Sequence, residues 1–386
     1  MKIALLNSRE AFETIFARSL ECFAQSFLGR AVELVAEGQG ELAFRQNAQL
    51  NLIYPNTANA ADLRTLSAEF RYAPRRLVRL AQTVYCELAV TPPTSSLLSP
   101  RLFDLRNPAP EMAGWVFLPG NHTIRVIDFG KDRSIVFVKD GFDKHFLLND
   151  ARIRADHPEL PTPRVLQIDE AGGWYVEERI VGLPINRLTD QRRVETALAD
   201  AADGLEQLRS KTEKTVSAKT YCEELIGRIG AAGLDDPLLA AMVTNFTRLV
   251  GEQLSGVGDF PLTLCRTHGD FQPANILASP SRTWVIDWEY SEIRSAIYDY
   301  LVYTSRSRFA EGFGARIIRE RERARAAGRI DAWGFEQLGD PDALILVFML
   351  EDLHLRLREV ASEEITDKTH AIAPWLRQAE SALQVD

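Results

Sequence analysis

The chain has 386 residues, 45 Lys+Arg against 54 Asp+Glu for a formal charge of −9, and is 46% hydrophobic and 26% charged. That composition excludes a disordered tail and a disulfide-stapled miniprotein, and it disfavours a nucleic-acid partner, whose phosphates select clustered Lys and Arg. The four cysteines form no CxxC pair, the apolar start stops at Leu6, and no stretch approaches the roughly 20 apolar residues of a bilayer span. The expectation is a reduced, cytoplasmic protein with no integral membrane segment.

In chain order, Ile3–Leu6 reads as a short strand and Glu10–Leu28 as an amphipathic helix. Leu77–Leu88 reads as a second helix after Pro74, and the nearby Arg71, Arg75, Arg76 and Arg79 as a basic surface or an anion- or membrane-binding patch. The break TPPTSSLLSP at Thr91–Pro100 suggests a boundary, leaving residues 1–100 as an N-terminal appendage of open role. Val116–Leu118, Ile124–Phe129 and Ile135–Lys139 are β-rich runs separated by turn chemistry at Pro119–Asn121 and Gly130–Ser134. A helix at Lys144–Ala155 and strands at Arg164–Ile168 and Trp174–Ile180 complete a small antiparallel sheet over 101–180. Helical periodicity dominates 181–386, at Val194–Leu208, Tyr221–Ala231, Pro237–Leu254, Ile297–Arg308, Phe313–Ala327 and Asp340–Val360. The fold class is α+β.

Chemistry concentrates in THGDFQPANIL (Thr267–Leu277) and WVIDWE (Trp284–Glu289). Asp270 and Asn275 are five apart on a segment that Gly269 and Pro273 keep irregular, and Asp287 follows at the end of an apolar run. One amide and one carboxylate are hard oxygen donors that suit Mg²⁺ shared with phosphates, which leaves Asp270 to accept a proton from an attacking hydroxyl.

These segments resemble the aminoglycoside phosphotransferase and choline kinase group, whose catalytic loop reads HGDxxxxN and whose metal-binding aspartate lies in an IDW context. The resemblance implies a two-lobed protein-kinase-like fold and an ATP- and Mg²⁺-dependent transfer of the γ-phosphate to a small-molecule hydroxyl. It makes Asp270 the base or hydroxyl-orienting residue, Asn275 and Asp287 the Mg²⁺ ligands, and His268 a packing residue. Asp299, in YDYLVY, becomes a brace for the loop. Upstream, Phe117–Gly130 resembles the strand–turn–strand over ATP phosphates, with Gly120 and the amides of Asn121 and His122 as contacts. Lys139 resembles the lysine that reaches the α- and β-phosphates. Where that lysine's acidic helix partner belongs, the chain has Asn149 and Asp150, so Asp150 is either the partner or a solvated residue. Trp174–Ile185 resembles the adenine-binding hinge, with the Glu178 carbonyl and the Ile180 amide as contacts.

Gly269 stands where protein kinases usually carry Arg, which disfavours a protein substrate. The acceptor stays open among sugars, amino sugars and amino alcohols. The acidic residues Glu311, Asp331, Glu351, Asp352, Glu363 and Glu364 would suit a cationic acceptor or simply face solvent. The alternative function is a nucleotide-binding scaffold with little turnover.

Overall fold

Alternation in Arg133–Val138 sends Ile135 and Phe137 to one face of a sheet and Val136 to the other, as a half-turn per residue requires. The computed structural model describes residues 3, 6–7, 10–73, 75–362 and 368–384, and its contacts divide the chain into two units. The first comprises Met1–Pro158, Thr162–Glu195 and Leu277–Trp284, and the second Glu159–Pro161, Thr196–Ile276 and Val285–Asp386.

The first unit is built on a nine-stranded sheet of order β1-β4-β2-β3-β5-β6-β7-β9-β8 with antiparallel pairings. Its strands are β1 (Glu33–Val35), β2 (Leu42–Asn47), β3 (Leu52–Pro55), β4 (Arg101–Arg106) and β5 (Trp115–Pro119), then β6 (Thr123–Asp128), β7 (Arg133–Val138), β8 (Val165–Asp169) and β9 (Trp174–Glu178). One face is covered by helix α1 (Phe12–Leu28), whose Phe12, Phe16, Leu20 and Phe23 recur at helical spacing. They pack on Phe117, Ile135 and Phe137 from β5 and β7, and the Phe23 and Phe137 rings stack at 4.2 Å. The other face carries α2 (Ala60–Ser67) and α3 (Arg76–Val90) beside Leu52 and Val116, and α4 (Lys144–Asp156) beside Val136 and Tyr175.

This corrects the boundary placed at Thr91–Pro100. Residues 1–100 are no separate appendage, because α1 and strands β1–β3 share core and hydrogen bonds with β4 and β5. Ile3, Leu6 and Asn7 are helical rather than strand, and the rest of that start lies outside the described residues.

The second unit is mainly helical. Asp236 caps the helix Pro237–Ser255 by accepting from the Leu238 and Leu239 amides, with Pro237 at the first position where its missing N–H costs nothing. The Trp375 ring anchors the unit's core against Phe246 and Phe313. A three-stranded sheet places Pro261–Thr267 between Lys214–Ser217 and Glu292–Ser295. The fold is therefore α+β, an antiparallel sheet unit and a helical unit, as the resemblance implies.

Candidate active site

The strand Pro261–Thr267 delivers the chain to a loop that only glycine can make. Gly269 sits at φ +92, and a Cβ there would lie 2.3 Å from the Tyr290 carbonyl oxygen. The Asp299 carboxylate, at the start of the helix Tyr298–Ser305, accepts from the backbone amides of His268 at 2.7 Å and Gly269 at 2.9 Å. Burial pushes the Asp299 carboxyl above its ordinary range, against the opposing pull of His268 and the two amides. His268 is enclosed between Trp288 and Phe271, its Nε2 bonded to the Ile286 carbonyl and its Nδ1 accepting from the Asp270 amide. Those bonds use the ring to link two segments.

Asp270 is 6% exposed. Its Oδ1 accepts from Arg308 Nε at 2.6 Å, and its Oδ2 accepts from Gln272 Nε2 at 2.9 Å and Asn275 Nδ2 at 3.0 Å. Because Asn275 spends Nδ2 on Asp270, its amide is turned to leave the hard oxygen Oδ1 as the other donor atom. The Ile286 amide donates to the Asn275 carbonyl at 3.0 Å, which sets Asp287 one residue beyond that pairing, in the left-handed region at φ 73. Among the described residues no group of three or more His, Cys, Asp or Glu forms a metal site.

Gln272 within the motif and the remote Arg308 carry no sequence signal as partners of Asp270, nor does Glu359 as a partner of Arg308. Arg308 donates to Glu359 through Nη1 at 3.1 Å and lies 5.0 Å from the Tyr290 ring centroid. Burial works against its charge, but the Asp270 and Glu359 carboxylates prevail and hold the guanidinium well above its ordinary range.

In the first unit, Gly120 closes a tight turn through its amide to the Thr123 carbonyl. The Asn121 side-chain Oδ1 is buried without a partner, an acceptor where an anion wants donors, so a phosphate contact there would fall to main-chain amides. His122 is buried with its ring 5.0 Å from that of Phe146, and its carbonyl accepts from the Lys139 amide. The Glu178 amide donates to the Arg164 carbonyl, and Ile180 is half-buried beyond the end of β9.

Lys139 departs from expectation. It is 1% exposed, with Nζ 2.6 Å from Glu10 Oε1 and the Phe12 and Phe142 rings alongside. A contacting acid thus comes from the segment before α1, while Asp150 is buried rather than solvated and accepts from Arg154 Nη2 at 2.6 Å and from the Tyr175 hydroxyl at 2.5 Å. Arg154 also donates to Glu177, which pairs with Arg125. An arginine one helical turn after Asp150 and an aromatic hydroxyl across the sheet thus share its carboxylate.

Of the acidic residues of the C-terminal half, Glu311 and Asp331 are exposed and Glu351 and Asp352 are buried. Glu351 accepts from Tyr221 and Ser295, and Asp352 from Tyr298 and Arg356, while Glu363 and Glu364 lie outside the described residues.

Residues 147–338 match the phosphotransferase enzyme family. This segment belongs to that family. It contains the whole Asp270 loop, Asp287 and Asp299, and it agrees with the resemblance that the motifs carry. No curated protein sequence matches the chain. Among solved structures, the chain is similar to a choline/ethanolamine kinase family protein from Mesorhizobium loti, with 16% identity, TM-score 0.46, and 79% of this chain and 95% of that one covered. It is also similar to the choline kinase LicA from Streptococcus pneumoniae, with 18% identity, TM-score 0.43, and 68% and 89% covered. A thermostable mutant of the aminoglycoside phosphotransferase APH(4)-Ia, solved with ADP and hygromycin B, shares 13% identity at TM-score 0.48, with 70% and 94% covered. No helix among the described residues is long and apolar enough to cross a membrane.

Proposed function

We propose that the protein transfers the γ-phosphate of ATP to a hydroxyl of a small molecule, with Mg²⁺. The single observation that carries this reading is the Asp270–Asn275 pair. A buried carboxylate and an amide whose free donor atom is oxygen stand bonded to each other inside a phosphotransferase-family segment. Asp270 would accept the hydrogen bond of the acceptor hydroxyl and orient its oxygen for in-line attack, so that a new O–P bond forms as the bond to the leaving ADP oxygen breaks. Asn275 Oδ1 and the Asp287 carboxylate would hold Mg²⁺, whose charge, when bound, offsets that of the phosphate oxygens. Two protein donors suffice because Mg²⁺ completes its octahedron with water and phosphate. The role of Asp299 is to fix the backbone of the loop, and that of His268 to tie the loop to Ile286.

The nucleotide contacts assigned to the first unit are the backbone of the Gly120–His122 turn, the Glu178 carbonyl and the Ile180 amide. Lys139 would contact phosphate only by sharing its ammonium with Glu10. That enclosed ammonium favours the second reading, a nucleotide-binding protein with little turnover.

The test is MgATP turnover, with a panel of hydroxylated metabolites and with water as acceptor. Asp270→Ala should lose about 10²–10⁴-fold in kcat while retaining nucleotide affinity, the range expected for a general base. Equal rates in the two proteins would remove the catalytic assignment.

A further inference from the structure

We infer that Arg308 is a positioning residue, which pins one oxygen of the Asp270 carboxylate and so selects the other to meet the acceptor hydroxyl. This rests on the phosphotransfer reading above. The two oxygens of Asp270 are held unequally. Oδ1 takes a charge-assisted bond of 2.6 Å from a guanidinium, whereas Oδ2 takes bonds of 2.9 and 3.0 Å from the neutral amides of Gln272 and Asn275. A charge-assisted bond is roughly twice as strong as a neutral one. An incoming hydroxyl therefore displaces the Gln272 amide from Oδ2 and leaves the guanidinium on Oδ1.

The mount of Arg308 is built for that task. The helix Tyr298–Ser305 ends at Arg306, whose left-handed backbone at φ 47 turns the chain back. The turn's own backbone bonds, from the Ser307 amide to the Val302 carbonyl and from the Phe309 amide to the Arg306 carbonyl, are supplemented by two other arginines. Arg316 donates to the carbonyls of Ser305, Arg306 and Phe309, and Arg356 donates to that of Ser307. Glu359 on the helix Pro341–Ser362 takes Nη1, and the Tyr290 ring lies beside the guanidinium. Nη2 is buried with no acceptor, so the group is held in place without satisfying all its own donors. One short helix thus grips the catalytic loop at two points, the backbone through Asp299 at its start and the carboxylate through Arg308 just beyond its end.

The test compares the full chain with Arg308→Ala and Arg308→Lys. The readouts are thermal melting, MgATP turnover on water, and crystal structures of both variants. In Arg308→Ala, kcat should fall about 10²-fold, the effect of misplacing a reacting group by an ångström, while KM for MgATP stays within about threefold. Methylguanidinium at tens of millimolar should restore about tenfold of that loss by refilling the vacated volume. The Asp270 carboxylate should rotate away in Arg308→Ala and hold its orientation in Arg308→Lys. An unmoved carboxylate in Arg308→Ala, or a loss of turnover that tracks melting temperature and resists rescue, overturns the assignment. If the parent chain turns over no MgATP, the phosphotransfer reading fails, and the orientation of Asp270 in the Arg308→Ala crystal still decides whether Arg308 positions it.

Discussion

Asp270 and Lys139 are both buried charges, one in each unit, and they are held in opposite ways. Three donors from three sequence positions surround the Asp270 carboxylate, so its environment is polar and redundant. The Lys139 ammonium meets the Glu10 carboxylate within an aromatic wall of Phe12 and Phe142. Redundant polar support lets a group keep its charge while one partner is exchanged for a ligand. A close ion pair in an apolar wall instead couples the charge to the stability of the fold, because an unpaired ion there has no water to fall back on.

The comparison breaks most directly at Glu10. Glu10→Gln removes a carboxylate 2.6 Å from an ammonium of 0% exposure, and should lower the unfolding free energy by about 3–5 kcal/mol in urea melts. A loss below about 1 kcal/mol would put the pair in the class of surface bridges and erase the contrast. Next comes Asp299→Asn. One of the two loop amides, at His268 or Gly269, would lose its carboxylate oxygen and face an N–H, a cost of about 1–3 kcal/mol for a buried unsatisfied donor. Its signature is that turnover falls as well, whereas Glu10→Gln acts first on stability. Turnover equal to the parent's would show that the loop holds its shape without Asp299.

The smallest effect sharpens the electrostatics of the second unit. Burial, opposed by the Glu292 carboxylate, pushes the His354 imidazole down to about 4. The unfolded chain binds that proton near 6.5 and the folded chain does not, so stability falls as pH drops from about 6.5 towards 4. His354→Gln should flatten that part of the stability–pH curve and leave the neutral side unchanged. An identical acid slope in the variant would place the proton uptake elsewhere.

Legibility followed the sequence separation of the contacts. His268, Asp270 and Asn275 interact within seven residues, and Asp299 reaches the loop through backbone amides that any sequence would supply, so the motifs point to Asp270 and Asn275 and the resemblance they carry to His268 and Asp299. Glu10 lies 129 positions from Lys139, in a stretch whose only legible property was helical spacing of apolar residues. Strands β2 and β3 were missed because LAFRQN and LIYP are short and lack regular alternation, and they are buried on both faces by packing that no local pattern announces. The break at Thr91–Pro100 reads as a domain boundary for the same reason. Turn chemistry marks where the chain bends, and which strand it rejoins is a matter of hydrogen bonds formed elsewhere.

By itself, then, the order of residues determined the α+β division, the glycine that the loop demands, and the carboxylate–amide–carboxylate series at 270, 275 and 287, since each depends on neighbours along the chain or on a residue's own conformational range. Tertiary structure alone decided which acid meets Lys139, that Asp150 serves Arg154 and Tyr175, and that Arg308 fastens Asp270. A buried charge is satisfied by whichever partner the packing of remote elements brings within about 3 Å, and that distance is set by the assembled core.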